Sequence, residues 1–521
     1  MKKIFVAFVT LIALAACSKK SVEVEPDVDP RTTPNFGQLG PRFPLVIFNL
    51  NGHQTEEDLS ADNWLGYMGT PSIFLNNVNN STYSITWNSF WGREYSNVMA
   101  PTKQMIQIAT ANKLPLFASW AKLVRILAMS KLTAVHGPII YSQYGINASS
   151  IPYDKESDLY PLFFKQLDSI QTDFNAKKTY AEFKDYDPSN YAGSIPQWQK
   201  VINSLRLRLA MRLSKVDPAQ AKIQGEKALK DPAGLINTNA DNFTNSLMGQ
   251  KIPVAQICYE WDDTRMGAAM ESFLVGLKDG RISRYFAPVA TPALYADHPS
   301  VPYKGIRNGG HINAKADHVP FSKVSEDFNT VTSRRNFTAA EVSFLKAEAG
   351  LRGWAGAGDP KTNYEDGVKL SFADWGAAGA DAYLADKTSK PINYVDPVDA
   401  RNNFTALSTI TVAWDNNDSN ELKLEKIITQ KYINNFTNTL ESWVDFRRTG
   451  YPKIPSAAKN ASNPTWGVIP AGEFIKRMPF DNAERTGNTA AVADAVTKMG
   501  AGAKDDIATR LWFDTGKAAN F

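Results

Sequence analysis

The segment WQKVINSLRLRLAMRLSKV, residues 198–216, constrains the fold more than any other. Trp198, Val201, Ile202, Leu205, Leu209, Leu213 and Val216 recur at spacings of three and four, the period of one helix face. Leu207 and Met211 widen that face, and so wide a stripe predicts a helix packed against more than one neighbour. Asp217 and Pro218 then read as an N-cap and a first-turn proline that open the next helix. The same period runs through LFASWAKLVRILAMSKLTAVHGP, where Leu116, Trp120, Leu123 and Leu127 share a face until Gly137 and Pro138 stop it.

Later segments repeat the pattern. In FTAAEVSFLKAEAGLRGW, Thr338 and Glu341 have the spacing of a capping box, and Phe337 and Val342 that of a hydrophobic staple. Val342, Leu345 and Ala349 continue the buried face, while Ala347, Ala349 and Gly350 leave room for a close neighbour. YEDGVKLSFADWG, after the loop AGAGDPKTN, reads as that neighbour; ELKLEKIITQKYINNF and LESWVDFRRTGYP follow, the second closed by Gly450 and Pro452. Strand signals are few and do not alternate with helices, which argues against a barrel or a doubly wound sheet. Paired helices suggest hairpins stacked as in tetratricopeptide arrays, with loop-rich stretches near 230–335 and 380–415; a solenoid whose insertions gather on one face often binds there. There is no clean 34-residue repeat.

The first sixteen residues are of another kind. Lys2 and Lys3 precede the apolar run Ile4–Ala13, too short for a membrane span and shaped like a secretory signal. Leu14-Ala15-Ala16-Cys17 resembles a bacterial lipobox, which implies cleavage before Cys17 and acylation of its sulfur; an ordinary cut after Ala16 is the plainer alternative. One acyl chain binds a membrane only marginally, so stable anchoring takes more than one. The polar, proline-bearing stretch after Cys17 reads as a lipid-anchored flexible tether over 17–40, with the folded domain over 41–521. Its alternating acids Glu23, Glu25, Asp27 and Asp29 resemble surface-export signals of Bacteroidota lipoproteins, interrupted by Lys19 and Lys20. Loss of the signal takes the formal charge from +4 to about +2, with no polybasic face for nucleic acid. With Cys17 acylated, Cys258 is alone and reads as a small buried hydrophobe.

Six segments, LVRILAMSKLTAVHGPIIYSQ, WQKVINSLRLRLAMRLSKVDP, FTAAEVSFLKAEAGLRGW, YEDGVKLSFADWG, IITQKYINNFTNTLESWVDFRRTGYP and RMPFDNAERTGN, lie in order behind the lipobox. Together they resemble the SusD/RagB family of outer-membrane lipoproteins, in a divergent branch. The resemblance implies a mainly α, single large domain with a scaffold of tetratricopeptide-like hairpins and long irregular loops. It implies a non-enzymatic protein, lipid-anchored in the outer membrane and facing the cell exterior. Such a protein captures an oligosaccharide or a peptide as the lid of a SusC-like TonB-dependent transporter. It implies no cofactor and no nucleic-acid partner.

Motifs for catalysis are absent. There is no HExxH, no i, i+4 pair among the five histidines, no GxSxG elbow and no phosphate-binding P-loop. Glu260, Asp262 and Asp263 are the acids that a surface glycan hydrolase, the alternative function, would need; carboxylate pairs are recognised by separation, and a solvated loop is the plainer reading. Asp415 and Asp418, with Asn416 and Asn417, could begin a calcium site but lack the EF-hand spacing. For ligand capture, Tyr83, Trp87, Trp91 and Tyr95 recur every fourth residue and would form one aromatic stripe on a helix, either core or pocket wall. Tyr303, Arg307, Asn308 and His311 sit in a glycine-rich loop, a second candidate. Arg447 and Arg448, at a helix C-terminus, read as structural partners of Asp445 or Glu441.

Overall fold

The computed structural model describes residues 29–148, 150–177, 181–295 and 302–521. Cys17, the signal and most of the tether lie outside them. Nine helices carry the scaffold: α1 (Ala100–Ala111), α2 (Pro115–His136), α3 (Glu156–Ala176), α4 (Ile195–Arg212), α5 (Pro218–Lys230), α6 (Ala339–Leu351), α7 (Pro360–Asp374), α8 (Asn420–Asn434) and α9 (Thr439–Thr449). Successive members of α1–α5 pack on one another, and α6 packs on both α7 and α8. The wide stripe of α4 does what its width predicts, meeting α3, α5, α6 and α9 and joining the two halves of the scaffold. Strand structure is confined to two antiparallel ribbons among the described residues: β1 (Met68–Gly69) with β3 (Arg265–Met266), and β2 (Phe243–Ser246) with β4 (Ser333–Phe337).

Local chemistry sets the helix ends. The Asp217 carboxylate accepts from the Gln220 amide at 3.1 Å, with Pro218 in the first turn of α5. Gly137 closes α2 at φ 94°, a conformation that side chains disfavour. Thr338 caps α6 by accepting from the Glu341 amide at 3.2 Å. The reciprocal half of the expected capping box is not made, because the Glu341 carboxylate is drawn across to Arg208, 2.9 and 2.7 Å away. At Gly367 on α7 an added Cβ would lie 2.6 Å from the Phe344 ring of α6, so only glycine lets these helices sit so close.

Apolar packing and buried charge hold the scaffold together. Phe43 stacks on Trp120 at 4.3 Å, and Trp120 meets Trp198 at 5.7 Å, tying the first described helical turns to α2 and α4. Four buried ion pairs cross between helices: Arg208–Glu341 at 2.7 Å, Arg212–Glu441 at 2.7 Å, Lys431–Asp445 at 2.8 Å and Arg448–Glu348 at 2.6 Å. A buried charge without its partner is costly, so these pairs fix the register of α4, α6, α8 and α9. Arg448 thus has the structural role expected of it, with Glu348 added to Asp445 as partner. One apolar cluster runs from Phe36 to Ile507 and takes in both ribbons, so the chain folds as a single, mainly α domain. The packed body begins earlier than the expected boundary at residue 40. Pro30–Thr32 and Phe36–Gln38 are helical turns, Leu39 is fully buried, and Phe36 lies edge-on to Phe117 at 5.5 Å and to Tyr186 at 5.4 Å. No helix of the described residues is long and apolar enough to cross a membrane.

Candidate functional site

The expected aromatic stripe is broken in two. The Asn80 side-chain oxygen accepts from the amides of Thr86 and Trp87, at 2.7 and 3.1 Å, and holds 84–87 out of a helix. Tyr83 sits at φ 67°, is buried, and its hydroxyl accepts from the Ala457 amide at 3.1 Å. Trp87 is half-buried and leans edge-on against Phe74 at 6.1 Å. The helix starts only at Phe90, runs to Glu94, and continues through a wide turn, Tyr95–Met99, into α1. Trp91 and Tyr95 therefore share one face, their rings 5.0 Å apart, while Tyr83 and Trp87 point elsewhere.

Trp91 and Tyr95 form the floor of an open groove of about 440 Å³. Trp91 is buried, stacked on Tyr153 at 5.4 Å and wedged edge-on against His136 and Phe480. Tyr95 is fixed by its hydroxyl, which donates to the Ile140 carbonyl and accepts from the Ile140 amide, both at 2.8 Å. The Tyr144 ring, half-buried like that of Tyr95, lies 5.7 Å from it. Ile140 and Ile151 complete the apolar wall; Ser96, Asp481, Glu484 and Asn488 supply the polar rim. The Glu484 carboxylate accepts from the Tyr153 hydroxyl at 2.5 Å and from Asn488 Nδ2 at 3.1 Å. Burial, together with that carboxylate, pushes the Tyr153 hydroxyl well above its ordinary range. His136, behind Trp91, is pushed down to about 3 by burial and by Arg477, and so is neutral at physiological pH.

Rings of this kind offer flat apolar area with little entropy to lose, and the carboxylates accept hydrogen bonds from hydroxyl or amide donors. Such a lining sets flat stacking area beside hydrogen-bond acceptors. Tyr144, Glu484 and Asn488 were not singled out from the sequence. The two Tyr residues of IIYSQYG were a weak signal for the first; nothing local marks Glu484 as a neighbour of Trp91.

The other candidate residues lie elsewhere. The Arg307 guanidinium turns into the chain, donating to the Ser456 carbonyl at 2.5 Å and to Asn308 Oδ1, and Asn308 donates to the Pro455 carbonyl at 3.0 Å. Burial pushes Arg307 down to about 10. This loop clamps residues 455–459, and the half-buried Tyr303 lies apart from the groove of Trp91. Glu260 pairs with Lys251, Asp262 with Arg265 at 2.6 Å and Lys323 at 3.0 Å, and Asp263 with Lys315 at 2.6 Å. Hydrogen bonding to Lys251 lowers the Glu260 carboxyl, and Lys323 and Arg265 outweigh burial to lower that of Asp262. Neither has the raised value that a glycosidase general acid needs. Asp415 caps a turn at the Asn417 amide, 2.9 Å, and Asp418 is paired with Lys426 at 2.7 Å, so one of the two carboxylates already faces an ammonium. Among the described residues no group of three or more His, Cys, Asp or Glu could hold a metal ion.

Residues 38–514 match the model of the SusD-like family, described as SusD and RagB outer-membrane lipoproteins. A chitin-binding SusD homologue from Flavobacterium johnsoniae is 36% identical, with a TM-score of 0.85 over 93% of this chain and 99% of that one. A SusD homologue from Bacteroides uniformis is 32% identical with a TM-score of 0.81, over 92% of this chain and 99% of that one. One from Bacteroides vulgatus is 30% identical with a TM-score of 0.83, over 93% and 99%. No curated protein sequence matches the chain.

Proposed function

The chain belongs to the SusD-like family of outer-membrane lipoproteins, and from that premise we propose that it is a non-enzymatic oligosaccharide-binding protein. It is anchored through acylated Cys17, displayed on the cell exterior, and delivers its ligand to a SusC-like TonB-dependent transporter. The observation that carries the binding role is the groove of Trp91, Tyr95 and Tyr144 with Glu484 and Asn488 on its rim. Sugar rings carry apolar faces that stack on aromatic side chains, and their hydroxyl and acetamido groups match a rim of carboxylates and amides. The relative from F. johnsoniae binds chitin, so β-linked N-acetylglucosamine oligomers are the ligand class for this groove.

Calorimetric titration with chitohexaose and cellohexaose tests the reading. Chitohexaose binds the wild type without turnover. Tyr144→Ala weakens it about tenfold, the loss of one stacking contact of about 1.4 kcal/mol. Binding unchanged by Tyr144→Ala would move the ligand elsewhere, and release of shorter sugars would make the protein a hydrolase. A mild-detergent pull-down of the lipidated protein from its own outer membrane brings down a TonB-dependent barrel if the transporter reading holds. Cys17→Ala leaves the protein unanchored, and protease added to intact cells cleaves the wild type only if it faces outward.

A further inference from the structure

A second groove, of about 390 Å³, opens at the C-terminal end of α9 between segments 446–451, 472–476 and 510–518. Phe446 and Phe474, both half-buried, meet there edge to face at 4.5 Å. The two carboxylates on its walls are already matched: Glu473 with Lys476 at 3.0 Å, and Asp514 with Arg510 at 2.7 Å. Arg448 beneath is held by Glu348. Arg447 and Lys517 differ. Among the described residues neither has a carboxylate within ion-pair distance. The Arg447 guanidinium is fixed by the carbonyls of Trp443, Lys476 and Ala134, and Lys517 is exposed. The groove is therefore positive on balance, whereas that of Trp91 carries Asp481 and Glu484 and no lining cation.

Two glycines keep its walls bare. Gly450 and Gly472 have φ of 80° and 81°, and a Cβ added at either would meet nothing within 4 Å. Beside them, the Glu473–Lys476 and Asp514–Arg510 ion pairs offer donors and acceptors together. Hydroxyl groups, which both donate and accept, suit such a lining. The positive balance selects an anion, and the Phe446–Phe474 pair offers an apolar face for a ring.

We propose that this groove is a second ligand site, taking the carboxylate-bearing sugar of an acidic glycan. Its ring lies against Phe446 and Phe474, and its carboxylate points toward Lys517. The test is a titration of the full mature protein with trigalacturonate and with its methyl ester, which keeps the shape and removes the charge. The acid binds, the ester binds at least tenfold more weakly, and raising sodium chloride from 50 to 500 mM weakens the acid alone. Lys517→Glu, at an exposed position, lowers affinity for the acid at least tenfold with an unchanged circular dichroism spectrum. Tyr144→Ala in the other groove leaves it untouched. Failure of the acid to bind, equal binding of acid and ester, insensitivity to Lys517→Glu, or loss on Tyr144→Ala alone would each overturn the proposal. The ester and salt arms use the wild type, so they decide the matter even if a variant folds poorly.

Discussion

Replacing Glu348 by Gln tests the buried charge network at the centre of the scaffold. Glu348 is 1% exposed, and its oxygens accept from Arg448 at 2.6 and 2.8 Å and from Arg352 at 2.7 and 3.0 Å. Burial by itself would raise this carboxyl; the two guanidinium groups more than reverse that and hold it down to about 2, against 4.5 when free. At about 1.4 kcal/mol per unit, the ionised carboxylate stabilises the fold by about 3 kcal/mol. A carboxyl lowered in the folded state contributes fully above its unfolded value and loses that contribution as pH falls toward the folded one. Urea unfolding should therefore show Glu348→Gln about 3 kcal/mol less stable at pH 7, with the gap narrowing to about 1.4 kcal/mol at pH 3. Equal stability at pH 7, or a gap that does not change with pH, would refute the argument that this pair sets the register of α6 against α9.

Other perturbations probe other layers. Burial raises the carboxyls of Glu56 and Glu156 to about 7, so the fold loses stability as pH climbs from 4.5 through 7. Glu156→Gln removes one of these groups and leaves every histidine in place, so its unfolding free energy should gain about 0.8 kcal/mol on the wild type between pH 6.5 and 8; a difference that does not change over that range would contradict the assignment. Gly367→Val drives a side chain into Phe344 and should cost about 2 kcal/mol by the same assay. Thr338→Ala removes the cap of α6 and should cost about 1 kcal/mol; no loss would mean that the cap is dispensable once Phe337 and Val342 are packed.

What the sequence shows and hides here divides by range of interaction. The helices, the Asp217 and Thr338 caps and the stop at Gly137 follow from contacts within a few residues, and those are written in the local pattern. Glu341 shows where that information ends. Its spacing from Thr338 is that of a capping box, but Arg208, 133 residues away, takes the carboxylate, because a buried guanidinium left without its charge partner costs more than an unmade capping bond. The aromatic stripe failed in the same way: a period of four is equally compatible with a helix and with the Asn80-held loop, and a side chain three residues before Tyr83 decided between them. Phe36 and Leu39 sat in a proline-rich stretch that composition assigns to a tether, and Phe117 and Tyr186 bury the Phe36 ring. The groove is the extreme case. Tyr144 and Glu484 lie 340 residues apart and are brought to one wall by packing alone. Half of the groove's aromatic floor, the pairing of Trp91 with Tyr95, was readable because both residues stand on one continuous helical segment. The other half was not, because what makes those residues a groove is the scaffold that faces them with Tyr144 and Glu484.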